Sequence, residues 1–192
     1  MSKVAIQGNA SGTGTFTIQA PNSNTDRVLS LPDEAGTVLT SASDIIPNAN
    51  VAFSVNKTVS QSISSATETK VTFDAATFNI DSCFDLTNNR FVPPVAGYYQ
   101  FTFHCQMDYI GSSRGLAYLF IGGVKQDVIE QANNSSASTY PSFIMNSLVY
   151  LNGSSDYVEI YVEQQSGSSK NLYGDTLRDY ASSFGGILLR TA

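Results

Sequence analysis

Residues 99–109 alternate without a break. Tyr99, Phe101, Phe103, Cys105, Met107 and Tyr109 share one face, and Gln100, Thr102, His104, Gln106 and Asp108 share the other. A period of two over this length fits a strand buried on one side; a helix would return its apolar stripe every three or four residues. Such a strand needs neighbours, because an isolated strand leaves its backbone groups unpaired. Shorter runs supply them. In residues 70–75, Val71, Phe73 and Ala75 oppose Lys70, Thr72 and Asp74. In residues 157–164, Val158, Ile160 and Val162 oppose Tyr157, Glu159, Tyr161 and Glu163. Residues 184–189 close the chain as a short apolar strand, and residues 116–121 are apolar on both faces. No helical period is sustained anywhere. Many strands separated by Gly and Asn turns predict an all-β antiparallel sandwich or barrel.

Composition narrows the function classes. Charged residues are 14% of the chain, with 10 Lys and Arg against 16 Asp and Glu, for a net charge of −6. So few scattered cations exclude non-specific nucleic-acid binding, which needs clustered Lys and Arg. They also argue against docking on an anionic membrane. No apolar run reaches the length of a membrane span. The opening MSKVAIQGNASGTG lacks the apolar stretch of a signal peptide, so folding in a cytoplasm is expected, with export only as part of a larger particle. Cys83 and Cys105 are too few for a disulfide framework; they are core thiols or one bridge.

The chain changes character near residue 45. Residues 1–45 are small, polar and rich in turn signals, with short alternating pieces that place Phe16 with Ile18, and Leu29 with Leu31, on common faces. Such a segment buries too little to offset backbone ordering of about 1–2 kcal/mol per residue, so it either orders with partners, which three copies around one axis would provide, or is a mostly disordered leader. Residues 41–50 read as a linker, and residues 46–192 as the main domain.

Several motifs, in order, carry a resemblance. They are Ala52-Phe53-Ser54-Val55, then Lys70-Val71-Thr72-Phe73 with Asn79 and Phe84-Asp85 after it. The most specific is Phe91-Val92-Pro93-Pro94-Val95-Ala96-Gly97-Tyr98-Tyr99-Gln100-Phe101, and Ser183-Phe184-Gly185-Gly186-Ile187-Leu188-Leu189 closes the series. Residues 52–192 thereby resemble the C1q/TNF-like globular head, an antiparallel jelly roll that forms homotrimers. Leu151-Asn152-Gly153 and Asp156-Tyr157-Val158 resemble its Gly-Asp-x-Val turn, interrupted by Ser154-Ser155. Gly97 is expected to supply a backbone angle closed to other residues, and Gly186 to make room for an aromatic ring. The resemblance implies that the doubly apolar strand lies at a threefold interface. Its Leu116, Tyr118, Leu119, Phe120 and Ile121, with Tyr157 and Tyr161 beside it, are the interface candidates. The exposed rings of 157–163 suit subunit contact or sugar stacking.

The leader resembles a segment of bacteriophage tail and fibre proteins. The likeness spans residues 5–40 and rests on Gly8-Asn9-Ala10-Ser11-Gly12-Thr13-Gly14-Thr15-Phe16-Thr17-Ile18 and on Leu31-Pro32-Asp33-Glu34-Ala35-Gly36-Thr37-Val38-Leu39. Phe16, Ile18, Leu29, Leu31, Val38 and Leu39 are its candidate attachment residues, through which other virion proteins would be met.

No catalytic constellation stands out. His104 is the only histidine and lies on the polar side of a strand; no Gly-x-Ser-x-Gly elbow, phosphate loop or zinc spacing is present. No cofactor is expected. Calcium is the one metal the resemblance allows, with Asn79, Asp81 and Asp85 as candidate ligands and ordinary turn capping as the alternative. The expectation is therefore a non-enzymatic homotrimeric phage fibre protein, located in the virion, whose C-terminal knob meets a host-surface glycan or protein. A capsid decoration or baseplate protein without ligand, and a secreted C1q-like lectin, are the alternatives.

Overall fold

The computed structural model describes residues 11–15, 17, 22–26, 28, 51–108, 110–132, 142–175 and 181–192, with residues 130–132 by backbone alone. The chain divides into two units, Met1–Val38 and Leu39–Ala192. In the first unit the described residues include no strand, and Thr25 N donates to Ser23 Oγ at 3.2 Å. The attachment candidates Phe16, Ile18, Leu29, Leu31, Val38 and Leu39 lie outside the described residues, as does the 41–50 linker.

In the second unit the strands are β1 (Ala52–Asn56), β2 (Gln61–Ile63), β3 (Thr69–Lys70), β4 (Ala75–Asn79), β5 (Phe84–Asp85), β6 (Arg90–Phe91), β7 (Ala96–Gln106), β8 (Arg114–Ile121), β9 (Val124–Ala132), β10 (Ser142–Asn152), β11 (Val158–Gln164), β12 (Lys170–Leu172) and β13 (Ser182–Thr191). A 3-10 turn, Ile80–Ser82, lies between β4 and β5. Sheet I has the order β10-β7-β13-β1-β4, and sheet II the order β5-β6-β11-β8-β9 with β3 added against β11; β12 and β2 form a separate ribbon. All these named strand pairs are antiparallel. First and last strands are neighbours, with Phe53 opposite Gly186 and Val55 opposite Phe184. This is the jelly-roll arrangement: strands distant in sequence pair, and two sheets enclose one core.

The expected alternation is met in the long strand. Tyr99, Phe101, Phe103 and Cys105 of β7 are buried, and Met107 continues the row through an isolated bridge to Leu172, while Tyr109 lies outside the described residues. The strand itself begins at Ala96 and ends at Gln106, three residues earlier at each end than the alternation suggested. Val158, Ile160 and Val162 of β11 point inward as expected. The run at 70–75 is different. Val71 and Phe73 are buried, yet they lie between β3 and β4, because the chain crosses from sheet II to sheet I there.

Phenylalanine rings fill the space between the sheets. Phe53 centres the cluster, 5.0 Å from Phe84, 5.1 Å from Phe91 and 5.1 Å from Phe184. Offset and edge-on ring pairs of this kind add about 0.5–1.5 kcal/mol each beyond area burial. Gly186 makes room for the cluster as expected. Gly97 has a different role: its φ is not positive, but a Cβ would lie 2.5 Å from Arg190 O and 2.7 Å from Leu188 Cδ1. Close approach of β13, not backbone angle, requires glycine at that position. Pro93 and Pro94 sit in the loop between β6 and β7, where no ladder needs their missing N–H.

Candidate functional site

Sheet II carries the residues that the sequence assigned to an interface. Leu119 is fully buried in the core of the single chain, and Ile121 packs against that core. On the outer side of β8, Leu116 and Tyr118 are also buried, while Phe120, Tyr157 and Tyr161 are half-buried. The strand is therefore covered on both faces by its own chain. Its cover is polar: Lys125 on β9 lies over the Tyr118 ring, 3.9 Å from the centroid, and is ion-paired with Glu68. Tyr118 donates its hydroxyl to Glu163 Oε2 at 2.8 Å, and Lys70 pairs with Glu159 Oε1 at 2.5 Å. Burial and the nearby carboxylates push the Tyr118 phenol up, while hydrogen bonds from Gln165 and Tyr118 hold the Glu163 carboxyl below its ordinary value. Tyr157 stacks with the Arg90 guanidinium, 5.0 Å away. The sequence singles out these rings but not the lysine and glutamate that lie against them, because those come from other elements.

Exposed apolar side chains of the described residues gather on the other sheet. The register of sheet I aligns its outward side chains in rows: Tyr150 beside Tyr98 and Arg190; Leu148 beside Gln100 and Ile187; Asn146 beside Thr102 and Gly185; Ile144 beside His104 and Ser183. Tyr98, Ile144, Leu148, Tyr150, Ile187 and Leu189 are all exposed, Leu148 by 66%. Tyr98 and Tyr150 meet edge-on at 5.6 Å, and Thr102 Oγ1 donates to Asn146 Oδ1 at 2.8 Å. An open groove runs past Gln100, Asn146, Ser147, Leu148 and Leu189. Apolar side chains gathered on one sheet face form the kind of patch that marks an interaction surface. Sequence reading missed it. These residues look like the polar half of alternating strands interrupted by single hydrophobics, and only the register gathers them.

Two of the three calcium candidates, Asn79 and Asp85, work as turn caps. Asn79 Oδ1 accepts from Phe84 N at 2.9 Å while its Nδ2 donates to Phe84 O at 2.8 Å. Asp85 accepts from Thr87 N at 2.9 Å, Asn88 N at 3.0 Å and Asn88 Nδ2 at 2.6 Å. Those bonds, the Asn88 side chain first, hold the Asp85 carboxyl below its ordinary value. Asp81 occupies a left-handed position, φ 53°, in the 3-10 turn. Among the described residues no group of three His, Cys, Asp or Glu gathers in metal-binding fashion. Both cysteines are buried free thiols; burial pushes Cys83 up to about 11 and Cys105 up as well, away from reactive thiolates. In the interrupted turn at 152–156, Asn152 Oδ1 accepts from Ser154 N, Ser155 N and Asp156 N at 2.9, 3.0 and 3.1 Å, and Asp156 Oδ2 accepts from Asn152 N at 2.8 Å.

Two sheets of this order, with paired terminal strands, define the chain as a jelly-roll head of the C1q/TNF type. A family profile described as C1q domain matches residues 52–189. The chain belongs to the C1q domain family. Among solved structures, Eiger TNF from S. frugiperda is 13% identical, with 74% of this chain and 94% of that chain covered and a TM-score of 0.55. Murine APRIL is 11% identical, with 72% and 98% covered and a TM-score of 0.55. The globular domain of zebrafish complement 1qA protein is 18% identical, with 74% and 100% covered and a TM-score of 0.49. At these identities the likeness is one of fold. No curated protein matches. C1q/TNF homologues form homotrimers and are typically non-enzymatic.

Proposed function

We propose that this protein is a homotrimeric, non-enzymatic binding head in which the outer face of sheet I packs around the threefold axis. The observation that carries this reading is the exposed row structure of Tyr98, Tyr150, Leu148 and Ile187, on a domain whose relatives are trimers. Burying one such side chain fully contributes about 1.5–3 kcal/mol, and three copies would each contribute the patch. In this reading the interface lies on sheet I rather than on the β8–β11 surface. Light scattering on the purified full chain should return three times 20.6 kDa. A monomer at micromolar concentration would overturn it.

The leader extends the reading. Its resemblance to phage tail and fibre segments supports a virion fibre in which residues 1–45 attach and the trimeric head meets the host surface. Many tips on one particle would then add weak contacts through effective concentration. Membership in the C1q domain family favours, with equal force, a secreted C1q-like binding protein. Immunogold labelling separates the two: label on virions supports the fibre, and label confined to cell exterior or medium supports the secreted protein. Labelled particles that never adsorb to cells would point to a decoration protein without ligand.

A further inference from the structure

We propose that the outer face of sheet II is a recognition site for an alkylammonium group, filled in the free chain by its own Lys125. Tyr118 on β8 and Tyr161 on β11 are register partners, and Phe120 lies one row along. The three rings form an angled cluster, with Phe120 4.5 Å from Tyr161 at 41° and 6.4 Å from Tyr118 at 80°. The Lys125 ammonium sits 3.9 Å above the Tyr118 centroid and 5.8 Å from that of Phe120. Glu68, from the loop between β2 and β3, closes the other side as counter-ion. A cation held between ring faces and a carboxylate is the arrangement by which proteins bind ammonium ligands.

Two features tune the cluster for a cation. Tyr118 donates to Glu163, and Tyr161 donates to Glu159 Oε2 at 3.3 Å. A phenol that donates to a carboxylate carries more electron density in its ring, which deepens the attraction for positive charge. Lys70 neutralises Glu159, and Glu163 accepts from Tyr118 and Gln165, which leaves Glu68 as the carboxylate ion-paired with the cation over the Tyr118 ring.

The present occupant is displaceable. Lys125 and Glu68 side chains are each 40% exposed. An ion pair that open to solvent is weak. A primary ammonium is strongly hydrated and gives up water to sit on a ring. A quaternary ammonium is hydrated less, so the site should prefer it over the tethered lysine and over alkali cations. Every group named belongs to one chain, so the site does not depend on the trimer.

Choline chloride is the probe, with saturation-transfer NMR on its methyl protons and the full chain as receptor. Lys125→Ala vacates the site and leaves Glu68 unpaired. It should bind choline about tenfold more tightly than the wild type, as expected when a tethered competitor is removed. Tyr118→Leu keeps apolar bulk but removes the ring, and should lose binding. Glu68→Gln alters only an exposed side chain and should weaken binding even if Tyr118→Leu folds poorly. No saturation transfer to Lys125→Ala, or equal affinity in Lys125→Ala and in Lys125→Ala combined with Glu68→Gln, would overturn the proposal.

Discussion

Gly186 of β13 lies directly opposite Phe101 of β7, and a Cβ at position 186 would fall 2.6 Å from ring atoms of both Phe101 and Phe53. The glycine is a packing requirement of the aromatic core. Gly186→Ala should therefore lower stability by about 1–3 kcal/mol, the usual cost of forcing a methyl group into a filled interior. Urea denaturation reads this as a lower midpoint. An unchanged midpoint would show that the rings can step aside.

Ile187, the next residue, faces outward, whereas Leu119 is fully buried. Aspartate at the two positions should act differently. Ile187→Asp should leave the fold intact and dissociate the trimer, seen as a molecular mass one third of the wild type with unchanged circular dichroism. Leu119→Asp should unfold the chain, because a buried unpaired charge costs more than about 4 kcal/mol. A folded monomer from Leu119→Asp would move the interface back to β8.

Lys57 follows β1 and is almost fully buried, with its Nζ donating to Thr72 O and to Thr72 Oγ1. Burial lowers its pKa from the ordinary 10.5, and Asp74 opposes that shift. A lysine that titrates lower in the folded state penalises folding at neutral pH. The penalty fades as pH rises from the folded value towards the unfolded one. Wild-type stability relative to Lys57→Met should thus increase as pH rises towards the ordinary lysine value of 10.5. Parallel stability curves for the two proteins would remove this lysine as a source of pH dependence.

The Asp85 carboxyl owes its low pKa first to Asn88. Asn88→Ala should move it up towards the ordinary carboxylate range, read by NMR titration of the Asp85 side chain. The turn from β5 to β6 should then lose its cap at a higher pH than in the wild type, since protonation removes the acceptor of the Thr87 and Asn88 amides.

Most of the fold is legible in residue order. Alternation in β7 and β11 names their buried faces because a strand's side-chain period is fixed by backbone geometry. The closing motif at 183–189 shows where the last strand lies and where glycine must replace bulk. Strand ends are less legible: β7 begins at Ala96 because Gly97 lets β13 approach, a fact about a strand some ninety residues away. The run at 70–75 reads as one strand because alternation persists through a crossover between sheets.

The surface is where local pattern fails. Residues 116–121 read as apolar on both faces, yet Lys125, paired with Glu68 of the same chain, lies over the Tyr118 ring on their outer side. Ile144, Leu148, Tyr150, Ile187 and Leu189 look like scattered exceptions on polar faces until the register of β10, β7 and β13 sets them side by side. Sequence alone determined the antiparallel class, the inward faces and the family, since these follow from the period of two and from local motifs. Only tertiary structure decided which face is bare and which is shielded, because exposure depends on side chains delivered by strands far apart along the chain.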